Sequence, residues 1–176
     1  MIKNETLETL KTRRSCRAYK PEMITDEELE TVLEAGTWAP TGMGKQSPIL
    51  IAVQNPEDVA ELSRINAEIF GKPGFDPFYG AKTVIVVLAD AERPTRVEDG
   101  SLVLGNMMNA AASIGLGSCW SHRAKETFER EDGKALLKKW GITGNYIGVG
   151  NCILGYAAEP DKAPAPRKDD YITIIK

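Results

Sequence analysis

Residues 83–90 read T-V-I-V-V-L-A-D, and this stretch decides the fold. From Thr83 to Ala89 every residue is β-branched or apolar, so neither face of a strand built from it is suited to water. Such a strand belongs in the middle of a sheet with helices packed on both sides. The neighbouring segments supply those helices. Downstream, residues 99–117 (DGSLVLGNMMNAAASIGLG) form a helix whose strongly polar positions after Ser101 reduce to Asn106, Asn109 and Ser113, spaced three and four apart on one narrow stripe. A helix so apolar must be covered nearly all round, and a subunit interface is a natural cover for the face its own domain leaves open.

Upstream, residues 56–70 (PEDVAELSRINAEIF) read as a helix with Pro56 in its first turn, and residues 49–54 (ILIAVQ) as a buried strand. Thr25 and Glu28 make a capping box for a helix carrying Leu29, Val32 and Leu33 on one face. Residues 4–13 give a short first helix with Leu7 and Leu10 on one side. After the long helix come a strand at 117–123 (GSCWSHR), a helix at 134–141 (KALLKKWG) and a strand at 146–157 (YIGVGNCILGYA) whose glycines permit close backbone approach. The chain ends in a Pro- and charge-rich spacer, residues 159–170, followed by YITIIK, which has strand propensity and needs a pairing partner. Strands alternating with helices give an α/β or α+β sandwich around one sheet. At 176 residues the expected organisation is a single domain, residues 1–176.

The formal charge of −3 argues against a general nucleic-acid binder. No stretch approaches the roughly 18 unbroken apolar residues of a membrane-spanning helix, and a cytoplasmic location is expected. Cys16, Cys119 and Cys152 are far apart and lack metal or redox spacing, so neither a disulfide framework nor a metal site is expected, and Cys152 reads as a buried small hydrophobe. Against this acidic balance, residues 11–21 (KTRRSCRAYKP) place Arg13, Arg14 and Arg17 within five residues. These guanidinium groups repel one another unless something negative sits among them: a nucleic acid, a membrane, an acidic protein surface or a bound phosphate.

Familiar nucleotide motifs are not met. In GMGKQS, Ala39 stands where a P-loop needs its first glycine and Gln46 where it needs a hydroxyl. Neither GLGSCW nor GVGNCI completes the dinucleotide fingerprint. His122 is the only histidine, and Cys119 has no recognisable base, so side-chain catalysis has little material. That points to a cofactor bringing its own chemistry.

RRSCRAYKP, ITDEELETVLEAGTWAPTGMGKQSP, GLGSCW and LGYAAEPDKAPAPRK, taken together and in this order, resemble the nitroreductase family of FMN-dependent oxidoreductases. The resemblance implies an α+β fold, a mixed sheet flanked by helices, in an intertwined homodimer with FMN at the subunit interface. It implies that Arg13, Arg14, Ser15 and Arg17 hold the FMN phosphate and ribityl chain, with Arg167 or Lys168 adding charge from the tail. Pro40, Thr41, Gly42, Met43 and Gln46 would come from the partner subunit, Asn66 would face the pyrimidine edge, and Gly117, Ser118, Cys119 and Trp120 would pass alongside the ring. As ordinary core residues, Trp120 and Met43 would only fill space. No side chain is assigned as catalytic, because the flavin performs the chemistry.

The implied activity is hydride uptake from NADH or NADPH followed by reduction of nitroaromatic, quinone or related flat acceptors. A flavin-binding carrier or sensor without turnover is the alternative. The sequence departs from the family at Gly44, where many relatives carry Asn, and in the shortness of the loop between Phe70 and Lys82, a region that helps to form a lid in longer relatives.

Overall fold

A computed structural model describes residues 2–176. Four strands, β1 (Pro48–Val53), β2 (Thr83–Asp90), β3 (Gly117–Ser121) and β4 (Tyr146–Gly155), form one sheet in the order β1-β2-β4-β3. Every pairing between these strands is antiparallel, and a single parallel bridge joins Ser15 to Ser118 at the β3 edge. With helices on both sides, the architecture is the expected α+β class.

β2 is the inner strand that its composition demands. Val84, Val86 and Leu88 point into one apolar layer with Leu62, Ile65, Phe78 and Phe128, while Ile85, Val87 and Ala89 point into the other with Val32, Val103, Leu104 and Met107. Side chains alternate across a strand, so this division follows directly from the pleat. All six β2 side chains are fully buried, each contributing on the order of 1.5–3 kcal/mol where the residue is as large as valine or leucine.

The layer containing Leu62 is made by α3 (Pro56–Ile69), α5 (Ala124–Glu129) and α6 (Glu131–Lys139), the one containing Val32 by α2 (Asp26–Thr37) and α4 (Arg96–Ser113). The Thr25–Glu28 capping box is present, and Tyr156 Oη adds a 2.7 Å hydrogen bond to Glu28 Oε2. α1 (Glu5–Thr12) lies on α4, and the stripe of Asn106, Asn109 and Ser113 lines the groove between them. The glycines of β4 do what the sequence implies: a Cβ at Gly150 would sit 2.6 Å from the Trp120 indole nitrogen, and one at Gly148 would overlap the Ala124 carbonyl.

Two segments differ from the sequence reading. α5 precedes the expected helix around Ala135, because six residues are too few to show helical periodicity. Residues 171–176 pair with no strand within the chain: Tyr171, Ile172, Ile174 and Ile175 are exposed, and only a short 3-10 turn forms at Asp169–Tyr171. Among the described residues no helix is long and apolar enough to cross a membrane.

The α3–α6 contact is fastened by Asp58, which is buried and accepts from Lys139 Nζ at 2.5 Å and Trp140 Nε1 at 2.9 Å. These bonds hold its carboxyl below the ordinary aspartate range, Lys139 being the larger cause. A depressed carboxyl pKa contributes stability that is present above the unfolded-state value and lost as pH falls through the folded value. Asp58→Asn therefore destabilises the protein by about 1–3 kcal/mol at neutral pH. Urea unfolding at stepped pH should show the gap between variant and parent closing on acidification.

Candidate functional site

Beyond α1 the chain runs along the β3 edge. Cys16 N donates to Ser118 O at 2.9 Å, Lys20 N to Tyr156 O at 2.9 Å, and Ala158 N to Ala18 O at 2.9 Å. Cys16 faces inward, buried, with its Sγ against Gly117. Extended backbone alternates its side chains, so Ser15 and Arg17 turn outward while Cys16 anchors them.

The result is a cleft of about 430 Å³ lined by Arg13, Arg14, Ser15, Arg17 and Arg167, with the 159–165 spacer as its far wall. Glu159 and Asp161 also line it, but among the described residues no carboxylate forms an ion pair with any of these four arginines. Arg14 Nη1 donates to the Lys11 and Arg13 carbonyls, and Arg167 Nη2 to the Ala165 carbonyl at 2.8 Å. Arg13 Nη1 and Arg14 Nε are buried with no hydrogen-bond partner. Unpaired guanidinium donors around a cleft match a phosphate, which takes several charge-assisted hydrogen bonds in fork geometry. Of the two tail residues, only Arg167 lines the cleft; Lys168 pairs with Asp170 at 3.8 Å and lies 5.4 Å over the Tyr171 ring.

The loop carrying Pro40, Thr41, Gly42, Met43 and Gln46 is placed elsewhere. It sits at the start of α4, where Asp99, itself buried, accepts from Gly42 N at 2.8 Å, Ser47 Oγ at 3.1 Å and Thr95 Oγ1 at 3.1 Å. Thr41 Oγ1 accepts from Gln46 N at 2.9 Å. The arginines lie at the other end of α4, where Arg13, Arg14, Ala112, Gly115 and Gly117 share a groove. An 18-residue helix is about 27 Å long, so one chain does not bring these two groups together. Met43 is 89% exposed with φ 56°, which removes the reading of it as core.

On β3, Gly117 reaches the arginine groove, whereas the Ser118 and Cys119 side chains are buried and Ser118 Oγ has no partner. Trp120 is half-buried against the α4 layer, with its indole nitrogen unpartnered. Burial pushes the Cys152 thiol up to about 12, as suits an inert core residue. Asn66 is fully buried and donates through Nδ2 to Leu62 O and Thr127 Oγ1 inside the α3–α5 contact, while its Oδ1 is buried with no hydrogen-bond partner. It lines neither the arginine cleft nor the adjoining groove of the single chain.

Asp99 and Arg123 were missed. Asp99 reads in the sequence as an ordinary first-turn acid, and its only signal is Thr95 one turn before it. Arg123 shows no signal at all; in the structure it takes φ 78° and stacks on Phe70.

The fold is α+β with an arginine-walled cleft at the β3 edge, and its likeness to known proteins defines the class. The model of the Nitroreductase family matches residues 10–156, and the chain belongs to that family. A relative from Archaeoglobus fulgidus, named "Putative NADH dehydrogenase/NAD(P)H nitroreductase", is 32% identical over 173 residues, 95% of this chain and 90% of that one. Crystal structures of nitroreductases with bound FMN superpose closely. The one from Bacteroides fragilis gives a TM-score of 0.91 at 30% identity, over 99% of this chain and 100% of that one. The one from Desulfitobacterium hafniense gives 0.89 at 27% identity, with the same coverage.

A Cβ at Gly42 would overlap Thr95 Oγ1, so Gly42→Ala must push the loop off Asp99. Gly42→Ala and Asp99→Ala each lower stability by about 1–3 kcal/mol in urea unfolding. Because both act on one contact, the double variant should lose clearly less than the sum.

Proposed function

We propose that the protein is an FMN-dependent oxidoreductase that takes hydride from NADH or NADPH and passes electrons to flat acceptors of the nitroaromatic or quinone class. The observation that carries this reading is the cleft walled by Arg13, Arg14, Arg17 and Arg167, in which, among the described residues, no guanidinium has a carboxylate partner. Family membership and the FMN-bound structures of its relatives support the identity of the anion.

In this reading the arginines and Ser15 bind the phosphate, each charge-assisted hydrogen bond contributing about 1.5–3 kcal/mol. β3 is the edge strand of the sheet, so outward backbone N–H groups beyond Ser118 are available to donate to a ring lying beside it. Trp120 adds a flat apolar wall. FMN, when bound, supplies the hydride and electron chemistry, and no side chain of the chain need act as acid or base.

The site is completed by a second copy. The 40–46 loop and the arginine cleft are a helix length apart in one chain, and a homodimer that places the loop of one protomer against the cleft of the other brings the two halves together. The exposed Tyr171–Ile175 segment supplies apolar surface for that contact. The whole chain, residues 1–176, acts as one domain in each protomer.

Purified protein should be yellow, and NADH or NADPH should bleach it without oxygen. Colour that only a chemical reductant removes would instead mark a carrier or sensor. Arg13→Ala and Arg17→Ala should each weaken FMN binding about 10-fold or more, read by ultrafiltration of released flavin. Truncation after Pro166 should yield monomer with little FMN, read by size-exclusion chromatography and absorbance; a yellow dimer would overturn the role given to the tail.

A further inference from the structure

The loop joining α3 to β2 folds against the end of β3, where Ser121 Oγ donates to Pro77 O at 3.4 Å. It presents a run of aromatic rings: Phe70 and Phe75 lie 6.0 Å apart between centroids, and Phe75 and Tyr79 lie 5.8 Å apart edge to face. Phe70 and Phe75 are 43% and 39% exposed. Trp120 and His122, 6.5 Å apart, form a separate aromatic pair on β3, with Trp120 packed on the α4 side.

Two cations cover Phe70. The Arg123 guanidinium is 4.4 Å from its centroid and Lys72 Nζ is 5.0 Å away. Nearby arginines behave differently: Arg64 and Arg130 are tied up with Glu61, Glu68 and Asp132. Among the described residues neither Arg123 nor Lys72 forms an ion pair, and Glu126, three residues on, lies outside ion-pair distance of Arg123. Arg123 Nε is also buried without a hydrogen-bond partner. The backbone there is in the left-handed region at φ 78°, which strains an arginine and suits a glycine. A strained, half-buried cation with a donor to spare, beside exposed rings at the end of the strand assigned to the flavin, is a recognition element.

We propose that Phe70, Lys72 and Arg123 form an acceptor-selecting subsite that binds the carboxylate or sulfonate of a flat aromatic acceptor, so that anionic aromatics are taken in preference to neutral ones of the same shape. This rests on the reductase reading above. The ring stacks on the exposed aromatic surface and the anion meets the two cations, which a neutral amide in the same position does not engage.

The test uses the full-length, FMN-loaded protein with NADH and two acceptors of one shape, 4-nitrobenzoate and 4-nitrobenzamide. kcat/KM should favour the benzoate about fivefold, and salt should erode that preference. Arg123→Gly, which also relieves the backbone, should abolish the preference through KM, Lys72→Gln should reduce it, and Arg123→Lys should keep part of it. Equal kcat/KM for the pair in the parent, or an equal loss on both in Arg123→Gly, would overturn the proposal and leave Arg123 as a clamp on the loop. A change confined to the KM for NADPH would overturn it in favour of the donor's phosphate. Equilibrium dialysis of the same two compounds separates the two readings. Preferential benzoate binding without NADH-driven turnover would sink the reductase and keep the subsite, whereas turnover without preference would do the reverse.

Discussion

Burial of β2 on both faces constrains everything else in this protein. An antiparallel sheet often leaves one face wet, but seven successive β-branched or apolar residues forbid that here, and helices must cover both sides. α4 fulfils this by running the length of the sheet, with Val103, Leu104, Met107 and Ala111 against it. Once α4 is fixed, loops gather at its two ends. The arginine segment docks near one end and the glycine-rich loop at the other. The separation of these two groups in one chain is thus a consequence of how the core is closed.

What could be read in the sequence follows the same logic. Strong local signals survive: the capping box at Thr25, the apolar run of β2, the inert Cys152 and the arginine cluster all stand where their chemistry put them. Residues whose roles depend on distant contacts do not announce themselves. Asp99 is a first-turn acid by sequence and the anchor of a loop more than fifty positions earlier by structure. Asn66 gives its amide nitrogen to Thr127 across the α3–α5 contact, a partner sixty-one positions away that no local pattern shows. α5 is too short for periodicity, and Arg123 occupies a backbone conformation that composition would assign to glycine.

The terminal segment shows a different limit. Its alternation of β-branched residues is a real strand signal, but strand propensity describes fitness for a pleated, half-buried surface and not a backbone state that forms alone. With its neighbours in the chain already paired, β1 and β3 leave the only sheet edges, and β3 is occupied by the Ser15 bridge. The segment's apolar side chains face outward in a single chain, as the proposed contact with a second copy requires.

The arginine cleft completes this reasoning on energetic grounds. Like charges a few ångströms apart repel by about 1 kcal/mol or more per pair even when well solvated. Here the backbone denies them the freedom to separate: Cys16 is buried against Gly117 and its amide is bonded to Ser118, so Ser15 and Arg17 are held on one side of the edge. Stability contributed by the core is spent on keeping cations together. A dianion entering the cleft relieves that repulsion as well as gaining its own hydrogen bonds, and a group that binds only the folded chain stabilises it by mass action. On the proposed reading, the same arrangement that crowds the cations favours a phosphate, since a neutral ligand would relieve nothing.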